Sequence, residues 1–108
     1  MKTESEILLE ARDLIAKPEH WTQGVAARSA SGAFVMPSAD CATSFCMYGA
    51  ITRTSAKYCV STESLATELR MTLHGPAIAE YNDAPNRKHE DVLSMMDATI
   101  ARLKAAGR

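Results

Sequence analysis

Thr3-Glu4-Ser5-Glu6-Ile7-Leu8-Leu9-Glu10-Ala11-Arg12-Asp13-Leu14-Ile15-Ala16-Lys17, halted by Pro18, is the stretch that makes this chain a helical one. Ile7, Leu8, Ala11, Leu14 and Ile15 fall on one face at helical spacing, and Thr3 with Glu6 has the form of a capping box. Proline cannot continue such a helix, because it lacks the N–H that an interior position must donate. The spacing therefore predicts an amphipathic helix over residues 3–17.

Outward from it the chain changes character. Trp21-Thr22-Gln23-Gly24-Val25-Ala26-Ala27-Arg28 holds the only tryptophan, next to an amide, a glycine and an arginine. Large aromatics and directional polar groups at a chain break point to a packed, hydrogen-bonded junction. Val25, Ala27, Phe34 and Met36 alternate around Ser29-Ala30-Ser31-Gly32, which predicts a short hairpin lying on helices. A second helix is expected from about Ser38 to Ile51, capped by Ser38 or Asp40, with Ala42, Phe45, Cys46, Gly49 and Ala50 on one side. Its Cys, Gly and Ala admit a closely packed helix. Thr52 to Tyr58 lacks helical periodicity and reads as a mobile connecting loop.

A third helix begins after Ser61, its cap, and buries Leu65, Leu69 and Leu73, with Val60 stapled on Leu65. Gly75 suits a left-handed helix end, and Pro76 the first turn of a short helix through Ile78 and Tyr81. That helix breaks at Asn82-Asp83-Ala84-Pro85. The last helix runs from about Lys88 to Ala105 with Val92, Met96, Ile100 and Leu103 inward. The expected architecture is mainly α: a compact bundle of four or five helices with a short two-stranded β-ribbon insert after the first helix. A chain of 108 residues fits a single helical domain, 1–108.

Composition narrows the function classes. Hydrophobic residues make up 46% of the chain, aromatics 6%, and there are eighteen alanines, so packing rests on small side chains. The net charge is −1 and the basic residues are scattered, which argues against bulk nucleic-acid binding. No stretch approaches the ~20 apolar residues of a membrane span, and the acidic start lacks a signal-peptide core, so a cytoplasmic location is expected. Cys41, Cys46 and Cys59 are an odd count that suits reduced thiols. Small core and Ala/Gly/Met-rich helices are compatible with a homo-oligomer.

Chemistry-bearing groups do not assemble in sequence. Cys41 and Cys46, five residues apart on an expected helix, lie about 140° around its axis and cannot share a metal. No signature of a thiol enzyme surrounds any cysteine, so no catalytic residue, metal ligand or cofactor is expected. His89, Glu90 and Asp91 open the last helix, where acidic groups favour the dipole and solvent is the expected neighbour. His20 reads as an exposed loop histidine. Asn82 and Asp83 suit a backbone-tying turn, or with Tyr81 a ligand contact, and Asp83 is a natural ion-pair partner for Arg28.

These segments also carry a resemblance. Trp-x-Gln-Gly-x-x-Ala-Arg at Trp21, Gln23, Gly24, Ala27 and Arg28, then Cys-x-x-Gly-Ala at Cys46, Gly49 and Ala50, then Asn-Asp-x-Pro at Asn82, Asp83 and Pro85, resemble a family of small bacterial and bacteriophage proteins of unknown function. The likeness runs from Ile7 to Leu103. It departs where Lys88 replaces a capping threonine, leaving that helix less well capped unless Asn86 substitutes, and where Tyr81 replaces a tryptophan. The resemblance implies a phage or mobile-element setting but no mechanism.

The resulting expectation is a non-enzymatic binding protein whose Trp21, Gln23, Arg28, Tyr81, Asn82 and Asp83 form the contact face. Its partner would be a host defence protein or a small nucleotide-like signal that it sequesters, with Arg28 giving charge-assisted bonds and Trp21 or Tyr81 a stacking face. Two alternatives stand beside it. In one the same polar residues serve only to hold the fold or an oligomer, and in the other Cys46 or Asp83 acts with His20, His74 or His89 as a small enzyme.

Overall fold

A computed structural model describes residues 2–108. Helix α1, Glu4–Leu14, starts as the capping box requires: the Thr3 hydroxyl accepts from Glu6 N at 3.2 Å and the Glu6 carboxylate from Thr3 N at 2.9 Å. It ends three residues short of the expected Lys17, and a 3-10 turn, Pro18–His20, leads into the Trp21 segment.

Strand β1, Ala27–Ser29, pairs antiparallel with β2, Ala42–Phe45, in the register Ala27 to Phe45 and Arg28 to Ser44. The expected hairpin over Val25–Met36 therefore takes a different form. The Ser29–Gly32 turn does close, with Gly32 N donating to Ser29 O, but the returning segment contributes only an isolated bridge from Phe34 to Arg28. The principal partner of β1 comes from Ala42-Thr43-Ser44-Phe45, a segment expected to be helical.

That exchange corrects the second helix. Neither Ser38 nor Asp40 caps it; helix α2 is Met47–Lys57, capped by the Cys46 thiol, which accepts from Gly49 N at 3.3 Å. Thr52–Lys57, expected as a loop, is its second half. The apolar stripe of Met47, Ala50 and Ile51 continues as Thr54 and Ser55, both buried, so the periodicity is real but written in hydroxyls. Thr52 and Thr54 satisfy theirs on the carbonyls of Tyr48 and Ala50. Gly49 does admit a close neighbour, but it is the loop backbone at Ala26, whose carbonyl oxygen a Cβ at position 49 would overlap.

Helix α3, Thr62–Leu73, is capped by Ser61 as expected. Its left-handed end is taken by His74 at φ 59°, with Gly75 following. Pro76 stays outside the short helix α4, Ile78–Asp83, whose cap is Ala77. Helix α5, His89–Ala105, buries Val92, Met96, Ile100 and Leu103 as the spacing predicts. Its start is rescued without Asn86, by Asp91 accepting from Lys88 N at 3.0 Å.

Helix α1 packs on α5 and α2, α3 on α5 and α2, and α4 on α2 and α3, around one continuous core. Leu8, Ile51, Leu69, Met96 and Leu103 are fully buried, each stabilising the fold by roughly 2 kcal/mol. The ribbon leans on this bundle through Ala27 and Phe45. Among the described residues no helix is long and apolar enough to cross a membrane.

Candidate functional site

The polar motif residues converge on Asn82, in the last turn of α4, whose side chain is fully buried. Its Oδ1 accepts from Trp21 Nε1 at 2.7 Å and from Met47 N at 3.1 Å. Its Nδ2 donates to Thr22 O at 3.0 Å and to Asp83 Oδ1 at 2.8 Å. Two lone pairs and two N–H groups are thus all engaged. Met47 is the first residue of α2, so a residue 35 positions away caps a backbone N–H that its own helix leaves unpaired.

Around this hub, Gln23 Nε2 donates to Asn82 O at 2.8 Å and to Ala84 O at 3.3 Å, collecting carbonyls at the end of α4. Asp83 Oδ1 also accepts from Gly24 N at 2.9 Å, at a glycine with φ 87° that a side chain would strain. The Trp21 ring lies 5.8 Å from that of His89. His89 is not a solvated helix start: it is half-buried, with Nε2 2.6 Å from Ile15 O, so that nitrogen carries the proton and donates.

Two expected members stand apart. Arg28 makes no ion pair with Asp83; it donates to the Thr22 hydroxyl at 2.8 Å, Gln23 O at 3.2 Å and Gly32 O at 3.1 Å, tying loop to ribbon. Tyr81 stacks under the Arg87 guanidinium, 3.6 Å from the ring centre, and donates to Asp91 O at 3.4 Å. The Trp21, Gln23, Asn82 and Asp83 cluster spends its directional bonds on the chain itself.

Among the described residues no histidine bonds a cysteine, and no three His, Cys, Asp or Glu side chains are grouped as metal ligands. Cys41 and Cys46 do not share a helix: Cys41 is exposed ahead of β2, whereas Cys46 is buried at the start of α2. Burial pushes the Cys46 thiol up, opposite to what a nucleophile needs.

A second feature lies outside the sequence expectation. A groove of about 620 Å³ opens between α1 and α2, lined by Glu10, Leu14, Ser38, Arg53, Ala56 and Lys57. Arg53 is held rigidly there: Nη1 donates to Pro37 O and Ala39 O, both at 2.9 Å, and the guanidinium lies 5.4 Å from the Phe45 ring centre. Among the described residues its Nε and Nη2 have no acceptor. At the other side Lys57 Nζ sits 3.1 Å from Glu10, which also accepts from Tyr58 at 2.9 Å. Burial works to raise the Glu10 pKa, but the bonds from Tyr58 and Lys57 outweigh it and hold the carboxyl below its ordinary value. Sequence reading missed this groove because it placed Arg53 and Lys57 on a loop; their i, i+4 spacing was the available signal.

Fold and cluster together define a small helical protein in which an asparagine-centred polar knot stitches a β-ribbon to a bundle. The family model described as Family of unknown function (DUF6197) matches residues 1–102, and the chain belongs to that family. No curated protein and no solved structure matches it.

Proposed function

We propose that this is a non-enzymatic binding protein, that its Trp21–Asn82 cluster holds the fold, and that the groove between α1 and α2 receives a small anionic, nucleotide-like ligand. One observation carries the reading: a guanidinium fixed in place by two carbonyls and an aromatic ring, with two donor nitrogens unspent among the described residues, beside a concavity of about 620 Å³. A preorganised arginine loses little freedom on binding a carboxylate or phosphate, which is why such sites select anions. Lys57 lies across the groove with its charge offset by Glu10, so Arg53 supplies the net positive charge, and Leu14 with Ala56 an apolar wall. Sequestration of a nucleotide signal in a phage or mobile-element setting, as interference with host defence, is the concrete role proposed for it.

Thermal denaturation and calorimetry with adenosine monophosphate and inorganic phosphate test the site. Ligand at a hundredfold excess over Kd adds about 2.7 kcal/mol and raises Tm by roughly 10 °C. Lys57→Gln weakens the effect, and Arg53→Lys, which keeps the charge but not the fork, weakens it more. An unchanged Tm with both probes sinks the small-anion reading. A host protein that binds equally well to both variants would move the function to another face.

The saturation of Asn82 supports the structural part of this reading. For Arg28, which bonds only its own loop and ribbon, Arg28→Ala tests the same assignment: unfolding without any effect on ligand affinity in the folded fraction marks a structural role, and reduced affinity in a stable protein marks a contact.

A further inference from the structure

The charges around the groove between α1 and α2 narrow what its arginine can hold. Nη1 of Arg53 spends its two N–H groups on Pro37 O and Ala39 O, which leaves the edge where Nε–H and an Nη2–H point the same way. Such an edge matches two oxygens on one centre, as a carboxylate or a phosphate presents them. The charged side chains lining the groove are Arg53, Lys57 and Glu10. Lys57 Nζ lies 3.1 Å from Glu10 Oε1 and Tyr58 donates to the same oxygen at 2.9 Å, so the carboxylate is fixed in place and charged at neutral pH. Among the described lining residues one net positive charge remains, on Arg53. Lys2 also acts on Glu10, but it lines a separate hollow with Glu6 and Asp13, whose two carboxylates exceed its charge.

Building on the reading of this groove as a small-anion site, we propose that Glu10 makes it selective for monoanions. The group seated on Arg53 is then a phosphodiester or a carboxylate, one charge spread over two oxygens, and not the terminal phosphate of a monoester. A monoester carries about −1.5 to −2 at neutral pH. To enter the groove it sheds water from both charges; Arg53 compensates one, and the other meets no unpaired cation and stands against the Glu10 carboxylate. A phosphodiester offers the fork the same pair of oxygens without that second charge, and a carboxylate does likewise. For a nucleotide-like ligand, the favoured form is therefore a cyclic nucleotide or a nucleoside carboxylate.

Calorimetry on the full chain at ~pH 8 and low ionic strength, where a monoester is a dianion and charges are least screened, compares four adenosine ligands. They are adenosine itself, its 5′-carboxylate, its monophosphate and its cyclic monophosphate. The tighter of the two monoanions is expected to bind about tenfold better than the monophosphate, and adenosine to bind weakest. Which monoanion leads assigns the group as diester or carboxylate. Glu10→Gln keeps an oxygen for Tyr58 and Lys57 but removes the charge, and is expected to narrow the gap to about threefold. Lys57→Gln leaves Glu10 unopposed and widens it. A monophosphate that binds as tightly as both monoanions overturns the selectivity alone and leaves the groove as an anion site. A gap indifferent to both substitutions also overturns it, because Glu10 then does not set it. If none of the three anions binds, the selectivity and the small-anion reading fall together.

Discussion

Asn82 is the residue on which the greatest number of independent segments depend. Replacing it with alanine strands the buried Met47 N–H and the part-buried Trp21 indole N–H and Thr22 carbonyl, and a fully buried group so abandoned costs about 1–3 kcal/mol. Asn82→Ala is expected to lower the unfolding free energy by about 4 kcal/mol, read from the urea midpoint, a large part of the 5–15 kcal/mol of a typical domain. Asn82→Asp fares no better, since an oxygen then faces Thr22 O and Asp83. A loss below about 1 kcal/mol would mean that the knot is not what holds the ribbon down. Much of this cluster was legible in sequence, because Trp21, Gln23 and Asn82-Asp83 all sit where helices break. Arg28 and Tyr81 join them in sequence through adjacency and charge, and geometry sends their bonds elsewhere: Arg28 reaches the carbonyls and hydroxyl that its own loop presents, not the Asp83 carboxylate. Met47 contributes through its backbone N–H, which no side-chain pattern reveals.

Elements whose apolar stripe is long and unbroken, α1, α3 and α5, were read correctly from spacing. The region from Ser38 to Tyr58 was not, for two physical reasons. Ala42-Thr43-Ser44-Phe45 is too short to distinguish strand from helix by periodicity, and its state depends on β1 lying alongside. Thr54 and Ser55 complete the buried stripe of α2 with polar atoms, so hydrophobicity under-reports that helix. The junction between β2 and α2 is held by contact at Gly49. Gly49→Ala removes the helical penalty of glycine, worth about 1 kcal/mol, but drives a methyl group into the Ala26 carbonyl. The overlap is with backbone and outweighs the gain, giving a net destabilisation of roughly 2 kcal/mol. Urea unfolding with amide exchange at Cys46, whose N–H bonds to Ala26 O, measures it. A stabilised variant would show that the loop yields freely.

Across the whole molecule, the two ends of the described chain are drawn together by charge. Ser5 N donates to Arg108 O, Arg108 pairs with Glu4 at 2.8 Å and with Glu68 at 2.9 Å, and Arg102 with Glu68 at 3.0 Å, linking α1, α3 and α5. The hydrogen bond from Arg108 holds the Glu68 carboxyl below its ordinary value of 4.5 against the opposing effect of burial, with Arg102 adding to it. A carboxyl lowered on folding contributes in full above its unfolded value and loses that contribution as pH falls through the folded one. Stability is therefore expected to drop on acidification below pH 4.5, and Glu68→Gln to be less stable at neutral pH with a flatter acid limb. Urea midpoints at neutral and acid pH for both proteins check this; parallel curves would remove Glu68 from the acid response.

Sequence by itself determined the helical class, the capped ends of α1 and α3, the inward faces of α1, α3 and α5, and four side chains of the polar cluster, Trp21, Gln23, Asn82 and Asp83. Those are properties of neighbours three, four or sixty residues apart that residue type already announces. Only the tertiary structure decided that β1 pairs with Ala42–Phe45, that Asn82 caps a distant helix, and that Arg53 becomes a rigid donor beside a groove. Each of these depends on a backbone group meeting a side chain or strand remote in sequence, and a backbone group has no identity until the fold has placed it.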